Sequence, residues 1–253
     1  MEAFRDIQLQ EGVYVSAQTL GRFSAFEKYY IDIRRKENRV LSIPEIQRLP
    51  YPDETNEHHK EWKLRQKNIE RLLAYLRQKK GPLRILDIGC GNGFMAYLMA
   101  GSNNTVVGVD VNLTELKQAA IAFPEQNITW YYLDLMNELL PEKQFDIITF
   151  CASFQYFKDA EKILSICKNM ITPTGEIHII DSPFYNSVAK TKAVEGSKDY
   201  FNKMGVAEMT AHYHHHSLEV FNAFVVDLKY KPGSFLKKCL GIIDSPFPWI
   251  KLS

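Results

Sequence analysis

Apolar residues fall into two regimes along the chain. Up to residue 58 the apolar stretches are short and are cut by Pro44, Pro50 and Pro52. From about His59 to Lys80, Trp62, Ile69, Leu72, Leu73 and Leu76 recur at the spacing of a helix with one buried face. Asp53-Glu-Thr-Asn-Glu57 offers capping residues ahead of it, Lys79-Lys80 suit the negative end of its dipole, and Gly81-Pro82 stop it. Beyond residue 82 the pattern alternates. Leu83–Ile88, Thr105–Val109, Ile128–Leu133, Phe145–Phe150 and Glu176–Ile180 read as buried strands, and Phe94–Ala100, Leu113–Phe123 and Ala160–Met170 as helices. Ser217–Phe224 predicts a further helix, Val225–Tyr230 a sixth strand and Pro246–Leu252 a seventh. Strands separated by helices require right-handed crossovers, so the expected fold is α/β, a doubly wound and mostly parallel sheet.

Composition narrows the function. The 253 residues are 45% hydrophobic, with 31 Lys and Arg against 30 Asp and Glu. Such a chain can build a core and is not intrinsically disordered. Its balanced charge gives no basis for nucleic-acid binding through bulk positive charge. The balance is nevertheless uneven along the chain. Residues 1–82 hold 16 basic and 12 acidic groups, residues 83–181 hold 6 and 12, and residues 182–253 hold 9 and 6. Cys90, Cys151, Cys167 and Cys239 form no close pair and no zinc spacing. The first residues do not read as a secretory signal, and no run reaches the roughly 18 apolar residues of a membrane span. The expectation is a cytoplasmic protein with no integral membrane association.

The chemistry concentrates where the first strand of the alternating region meets its helix, at Asp87-Ile-Gly89-Cys90-Gly91-Asn92-Gly93. Glycines there allow a tight turn and close approach of backbone to a ligand, and the helix start offers unpaired N–H groups. Asp110 ends the next strand, where a carboxylate can accept from both hydroxyls of a ribose, and Asp134 ends the one after, within reach of an adenine amino group. The third glycine comes one residue too early for a dinucleotide fingerprint, and Asp87 would oppose a pyrophosphate. Asp87 suits an ammonium, and methionine joined to adenosine carries one, with a carboxylate for the helix start and no phosphate.

Leu86-Asp-Ile-Gly-Cys-Gly-Asn-Gly-Phe94 resembles the first motif of the class I S-adenosylmethionine-dependent methyltransferases. Val106-Val-Gly-Val-Asp110 resembles their second motif and Tyr132-Leu-Asp134 their third. Phe145–Phe154 is similar to their fourth strand with its exit loop, and Gly175–Asp181 to their fifth. The resemblance covers about residues 83–182 and lies with the small-molecule branch. It implies a Rossmann-like sheet of seven strands, the last inserted antiparallel between the fifth and sixth, under an N-terminal helical cap. The expected division is a cap or lid of residues 1–80 and an S-adenosylmethionine-binding domain of residues 81–253. The implied cofactor-binding residues are Asp87, Gly89, Cys90, Gly91, Gly93, Asp110, Val111, Asp134, Leu135 and Cys151.

Methyl transfer from a sulfonium is an in-line displacement that needs alignment, exclusion of water and, for some acceptors, removal of a proton. His212-Tyr-His-His-His216 offers histidines that a helix would pair as His212 and His216, and a strand as His212, His214 and His216. No carboxylate or cysteine nearby completes a metal set, so no metal is expected, and a surface run is the plain alternative. Asp181-Ser-Pro-Phe-Tyr185 leaves the fifth strand at the pocket edge; it resembles the D-P-P-Y of amino-methylating nucleic-acid enzymes but follows the wrong strand. Cys151 reads as a small residue beside the cofactor, not a nucleophile. The candidate catalytic residues are therefore His215, Tyr185 and Asp181. Phe23–Tyr30 is either a lid over the sulfonium or an ordinary amphipathic helix, and Phe235–Ile243 either an interfacial segment or a helix between strands. The expected activity is methyl transfer to a small-molecule acceptor with an anionic group, which the basic flanking segments favour. The alternatives are a non-catalytic S-adenosylmethionine-binding partner protein and, further off, an NAD(P)-dependent oxidoreductase.

Overall fold

The structure is a computed structural model and describes residues 7–101, 103–140, 144–233 and 244–253. Five parallel strands form its centre: β3 (Arg84–Ile88), β4 (Thr105–Asp110), β5 (Ile128–Tyr132), β6 (Phe145–Cys151) and β7 (Ile171–Ile180). Almost every residue of β3, β4 and β6 is buried, because helices cover both faces of the sheet. Ile85, Val106 and Ile147 point to one core, and their neighbours Leu86, Val107 and Ile148 to the other. The first core receives α2 (Ile43–Gln47), α3 (His59–Arg77), α4 (Phe94–Ala100) and α5 (Leu113–Ala122), the second α6 (Ala160–Met170).

Among the described residues the sheet holds nine strands, two more than the seven expected. In chain-order numbering the strands lie side by side as β1-β2-β5-β4-β3-β6-β7-β9-β8. The additions are an N-terminal hairpin, β1 (Ile7–Gln10) and β2 (Val13–Ser16), whose second strand pairs parallel with β5. Four-residue strands are too short for alternation to stand out from a mixed segment, which is why the pattern did not disclose them. At the other edge β9 (Trp249–Leu252) lies antiparallel between β7 and β8 (Val226–Tyr230), as the resemblance implied.

Other departures have local causes. The residues ahead of α3 make a turn, in which the Asn56 side chain accepts from the His58 N–H, and no side chain caps the helix. Ser217–Phe224 forms only a 3-10 turn at Leu218–Phe221. Ser187–Lys203 is a 17-residue helix, α7, capped by Asn186, which accepts from the Ala189 N–H. Only Phe201 of that helix is buried, so it carries no apolar stripe for the sequence to display. α1 (Ser24–Lys36) lies between the hairpin and the long helix in the chain. The segment Phe235–Ile243 lies outside the described residues. No described helix is long and apolar enough to cross a membrane.

Candidate functional site

The central strands reverse their order between β3 and β6, and the crevice above such a reversal is where open α/β sheets bind ligands. The glycine loop fills the β3 side of it. Gly89 has φ +71°, and a Cβ there would lie 2.5 Å from the Cβ of Ser153, so only glycine lets the loop close on the chain leaving β6. The Ser153 hydroxyl donates to the Ile88 carbonyl at 2.6 Å and joins the two strand ends. The Asp110 carboxylate then ties loop to sheet: one oxygen accepts from the Gly91 N–H and the other from the Asn112 N–H, both at 2.8 Å. Asp134 accepts from the Met136 N–H at 3.0 Å and from the Asn137 amide at 2.6 Å.

These groups border a cavity of about 600 Å³, the size of a small-molecule site. Gly89, Cys90, Gly91, Asp110, Val111, Asp134, Leu135 and Cys151 line it, while Gly93 packs on Trp130. Asp87 lies buried beneath; Thr149 donates to its Oδ1 at 2.8 Å, and its Oδ2 has no hydrogen-bond partner among the described residues. Asn112 presents the complementary need, a buried side-chain Nδ2 in the cavity wall without an acceptor among the described residues. One unmet acceptor and one unmet donor around a glycine loop fit a ligand that carries both an ammonium and acceptor atoms.

Asp181, Tyr185 and His215 are not among the residues lining this cavity. Asp181 is buried against Arg65 and Asn68. Tyr185 and His215 pack together with ring centroids 5.4 Å apart, and a ring nitrogen of His215 is 2.9 Å from the Ser197 hydroxyl. The histidine run is neither helix nor strand: it leaves a 3-10 turn at Ala207–His212 and continues extended, which turns His212 and His214 to the cavity. His216 bonds the Phe157 carbonyl at 3.0 Å and packs on Phe154. Among the described residues no three His, Cys, Asp or Glu side chains meet as a metal site.

The roof comes from α1. Phe26, Tyr30 and Arg34, spaced by four, face the cavity, so the aromatic stretch contributes to its lining. Tyr30 and Tyr156 meet edge to face at 5.8 Å, and Arg34 donates to the Tyr30 hydroxyl at 2.9 Å. Glu115 also lines the cavity. The sequence reading missed it and Tyr156, since a helix residue and a loop residue acquire a shared neighbour only in the fold. The N-terminal chain is latched to the same rim. Ser16 and Thr19 both bond Glu138, the Thr19 hydroxyl accepts from the Asp134 N–H at 2.9 Å, and Glu27 accepts from the Thr114 N–H at 2.9 Å.

Three carboxyls here resist ionisation. Burial pushes Asp87 up to about 7, with the Thr149 hydroxyl and the Cys151 thiol opposing and Asp110 assisting. Burial raises Asp110 to about 6 against the backbone N–H groups that favour its anion. It raises Glu115 to about 7 despite Arg34. Between pH 4 and 7 the folded protein thus holds protons that the unfolded chain has released, so these groups cost stability as pH rises through that window. A dicationic occupant reverses the preference. Binding of a sulfonium that also bears an ammonium should release protons near pH 6 and tighten from pH 5 to 8. Titration calorimetry at pH 6 in buffers of different ionisation enthalpy reads the proton count; no net release would contradict the assignment.

Residues 86–179 match the family described as a methyltransferase domain. The match runs from β3 to β7 and takes in the glycine loop, Asp110 and Asp134. An uncharacterised methyltransferase of Mycobacterium tuberculosis is 30% identical over 100 residues, 40% of this chain and 51% of the relative. A ubiquinone biosynthesis O-methyltransferase of Salmonella enteritidis is 29% identical over 114 residues, 42% of this chain and 46% of the relative. The chain thus spans about half the length of the curated relatives it matches. Among solved structures, the plantazolicin methyltransferase BpumL, in complex with S-adenosylhomocysteine and a triazolic desmethyl analogue, is similar with a TM-score of 0.58. It is 15% identical, over 91% of this chain and 93% of that chain, a likeness of fold.

Proposed function

We propose that the protein transfers the methyl group of S-adenosylmethionine to a small-molecule acceptor, with residues 1–80 as a cap on a cofactor domain of residues 81–253. The observation that carries this reading is the convergence of the glycine loop, Asp110 and Asp134 on one roofed cavity, with the unpaired Asp87 oxygen beneath it. The cofactor, when bound, supplies a methyl group already activated for displacement. Asp87 would hold its ammonium, Asp110 its ribose hydroxyls and Asp134 its adenine amino group, while Cys90, Val111, Leu135 and Cys151 pack around it. Phe26, Tyr30 and Tyr156 exclude water from above and align the acceptor.

The acceptor side is basic, with Arg34, Arg39, Arg65, Lys158 and Lys162 on the cavity lining, which supports an acceptor bearing an anionic group. His214 takes the place assigned from sequence to His215 as the base. It lines the cavity, and burial together with His216 and Lys158 lowers it to about 4, so its imidazole is neutral at pH 7 and, as a weak base, suits an acceptor whose proton is already acidic. For an acceptor that must lose a proton, His214→Ala should lower kcat about a hundredfold with S-adenosylhomocysteine affinity unchanged. An unaltered kcat would remove His214 from the chemistry.

The reading itself is tested by titrating S-adenosylhomocysteine and, separately, a nicotinamide dinucleotide, followed by an acceptor screen with radiolabelled methyl donor. Binding of the first and transfer to a metabolite are expected. Binding of the dinucleotide alone would turn the assignment to an oxidoreductase. Cofactor binding without transfer to any metabolite would mark a non-catalytic binding protein.

A further inference from the structure

Arg65 is built into the wall of the cavity in a way that ordinary helix packing does not require. Its guanidinium carbon lies 4.4 Å from the centre of the Trp62 ring, and its Nε donates to Asp181 Oδ2 at 3.4 Å. The plane of the fork is thereby set from one face and one edge. Neither terminal nitrogen makes a hydrogen bond among the described residues, and the side chain lines the cavity.

Asp181 in turn is fixed from behind. It is 5% exposed and sits at φ +52°, a costly backbone conformation for a residue other than glycine, where the chain leaves β7. Its other oxygen accepts from the Asn68 amide at 3.1 Å. That fully buried amide also donates to the Ser245 hydroxyl at 2.8 Å and the Phe247 carbonyl at 3.1 Å. Arg71 donates to Asn68 Oδ1 at 2.8 Å and grips both oxygens of Asp244, at 2.8 and 2.6 Å. A polar chain therefore runs from residues 244–247 through the core to the cavity wall. Apolar side chains would join α3 to β7 at no loss of stability, since a buried ion pair seldom repays its desolvation. What the network adds is orientation.

We propose that Arg65 is the carboxylate receptor of the cavity and that Asp181, a catalytic candidate from the sequence pattern, is the residue that positions it. A planar fork whose two terminal nitrogens are both free matches a carboxylate in bidentate fashion. Asp181 already balances the charge of Arg65, so the pair suits a monoanion better than a phosphate dianion. The carboxylate has two sources, the methionine tail of the cofactor or the acceptor. The inference rests on the methyl-transfer reading of the cavity.

Calorimetry with S-adenosylhomocysteine and with 5′-methylthioadenosine, which lacks the tail and its carboxylate, separates the sources. If the tail is bound, Arg65→Ala should weaken S-adenosylhomocysteine by about ten- to a hundredfold and methylthioadenosine by no more than about twofold. Arg65→Lys should recover part of the loss, and Asp181→Asn, which keeps the shape, should reproduce a smaller one. Methylthioadenosine binding reports that each variant is folded. If the acceptor supplies the carboxylate, both nucleosides bind every variant equally, and benzoate binds the S-adenosylhomocysteine complex of the wild type but not that of Arg65→Ala. Variants that match the wild type toward both nucleosides and benzoate overturn the proposal. A wild type that binds neither nucleoside overturns the methyl-transfer reading, a distinguishable result.

Discussion

Asp110→Ala should bind S-adenosylhomocysteine about a hundredfold more weakly than the wild type, or not measurably. The loss has two parts. The carboxylate stands at the end of β4 on the cavity wall, where it would accept from the two ribose hydroxyls. Hydrogen bonds to a charged group are worth about 1.5–3 kcal/mol each, so losing two exceeds a factor of a hundred. The same oxygens hold the Gly91 and Asn112 N–H groups, so the loop and the start of α5 lose their tie as well. Asp110→Asn keeps one acceptor oxygen and should fall between the two. Calorimetry measures all three proteins, and an Asp110→Ala protein that binds like the wild type would remove Asp110 from the cofactor site.

Gly93→Ala should be the most damaging single-methyl change in the loop. Gly93 has φ +79°, and a Cβ there would lie 2.5 Å from the ring of Trp130 and 2.7 Å from the Cβ of Ala119. Trp130 is 3% exposed and cannot yield without disturbing the first core. Gly81 is the natural control, because it has the same φ of +79° with nothing within 4 Å of an added Cβ. Gly81→Ala should therefore cost the left-handed backbone strain alone, about 1 kcal/mol. Gly93→Ala adds overpacking and should cost about 3 kcal/mol, with loss of cofactor binding. Urea unfolding compares the two; equal losses would mean that Trp130 does not constrain the loop.

How much was legible beforehand depends on how local the cause is. β3, β4 and β6 were readable because strands buried on both faces are written as mostly apolar runs, interrupted here by Asp87 in β3 and by Asp146 and Thr149 in β6. The glycine loop, Asp110 and Asp134 were readable because strand ends in a doubly wound sheet bring their loops to one edge, whatever the details. The hairpin β1–β2 and α7 were not, the first being too short to show alternation and the second too exposed to need an apolar stripe. The histidine run shows the limit most clearly. Its spacing admitted a helix or a strand, and the chain adopts neither, so the sequence placed His215 at the reaction and the fold turned His212 and His214 to the cavity.

By itself the sequence determined the central parallel strands, their crossovers and the cofactor loop, all set by periodicity and by backbone conformations that only glycine tolerates. Tertiary structure decided the rest. Arg34 on α1 meets Tyr156 and Glu115 in one cavity wall, and Arg65 meets Asp181 across 116 positions of chain. A side chain's charge and hydrogen bonds depend on neighbours that folding supplies, and no spacing along the chain encodes them. The uneven charge of the three segments pointed to an acidic cofactor side and a basic acceptor side; packing selected which of those charges face the cavity.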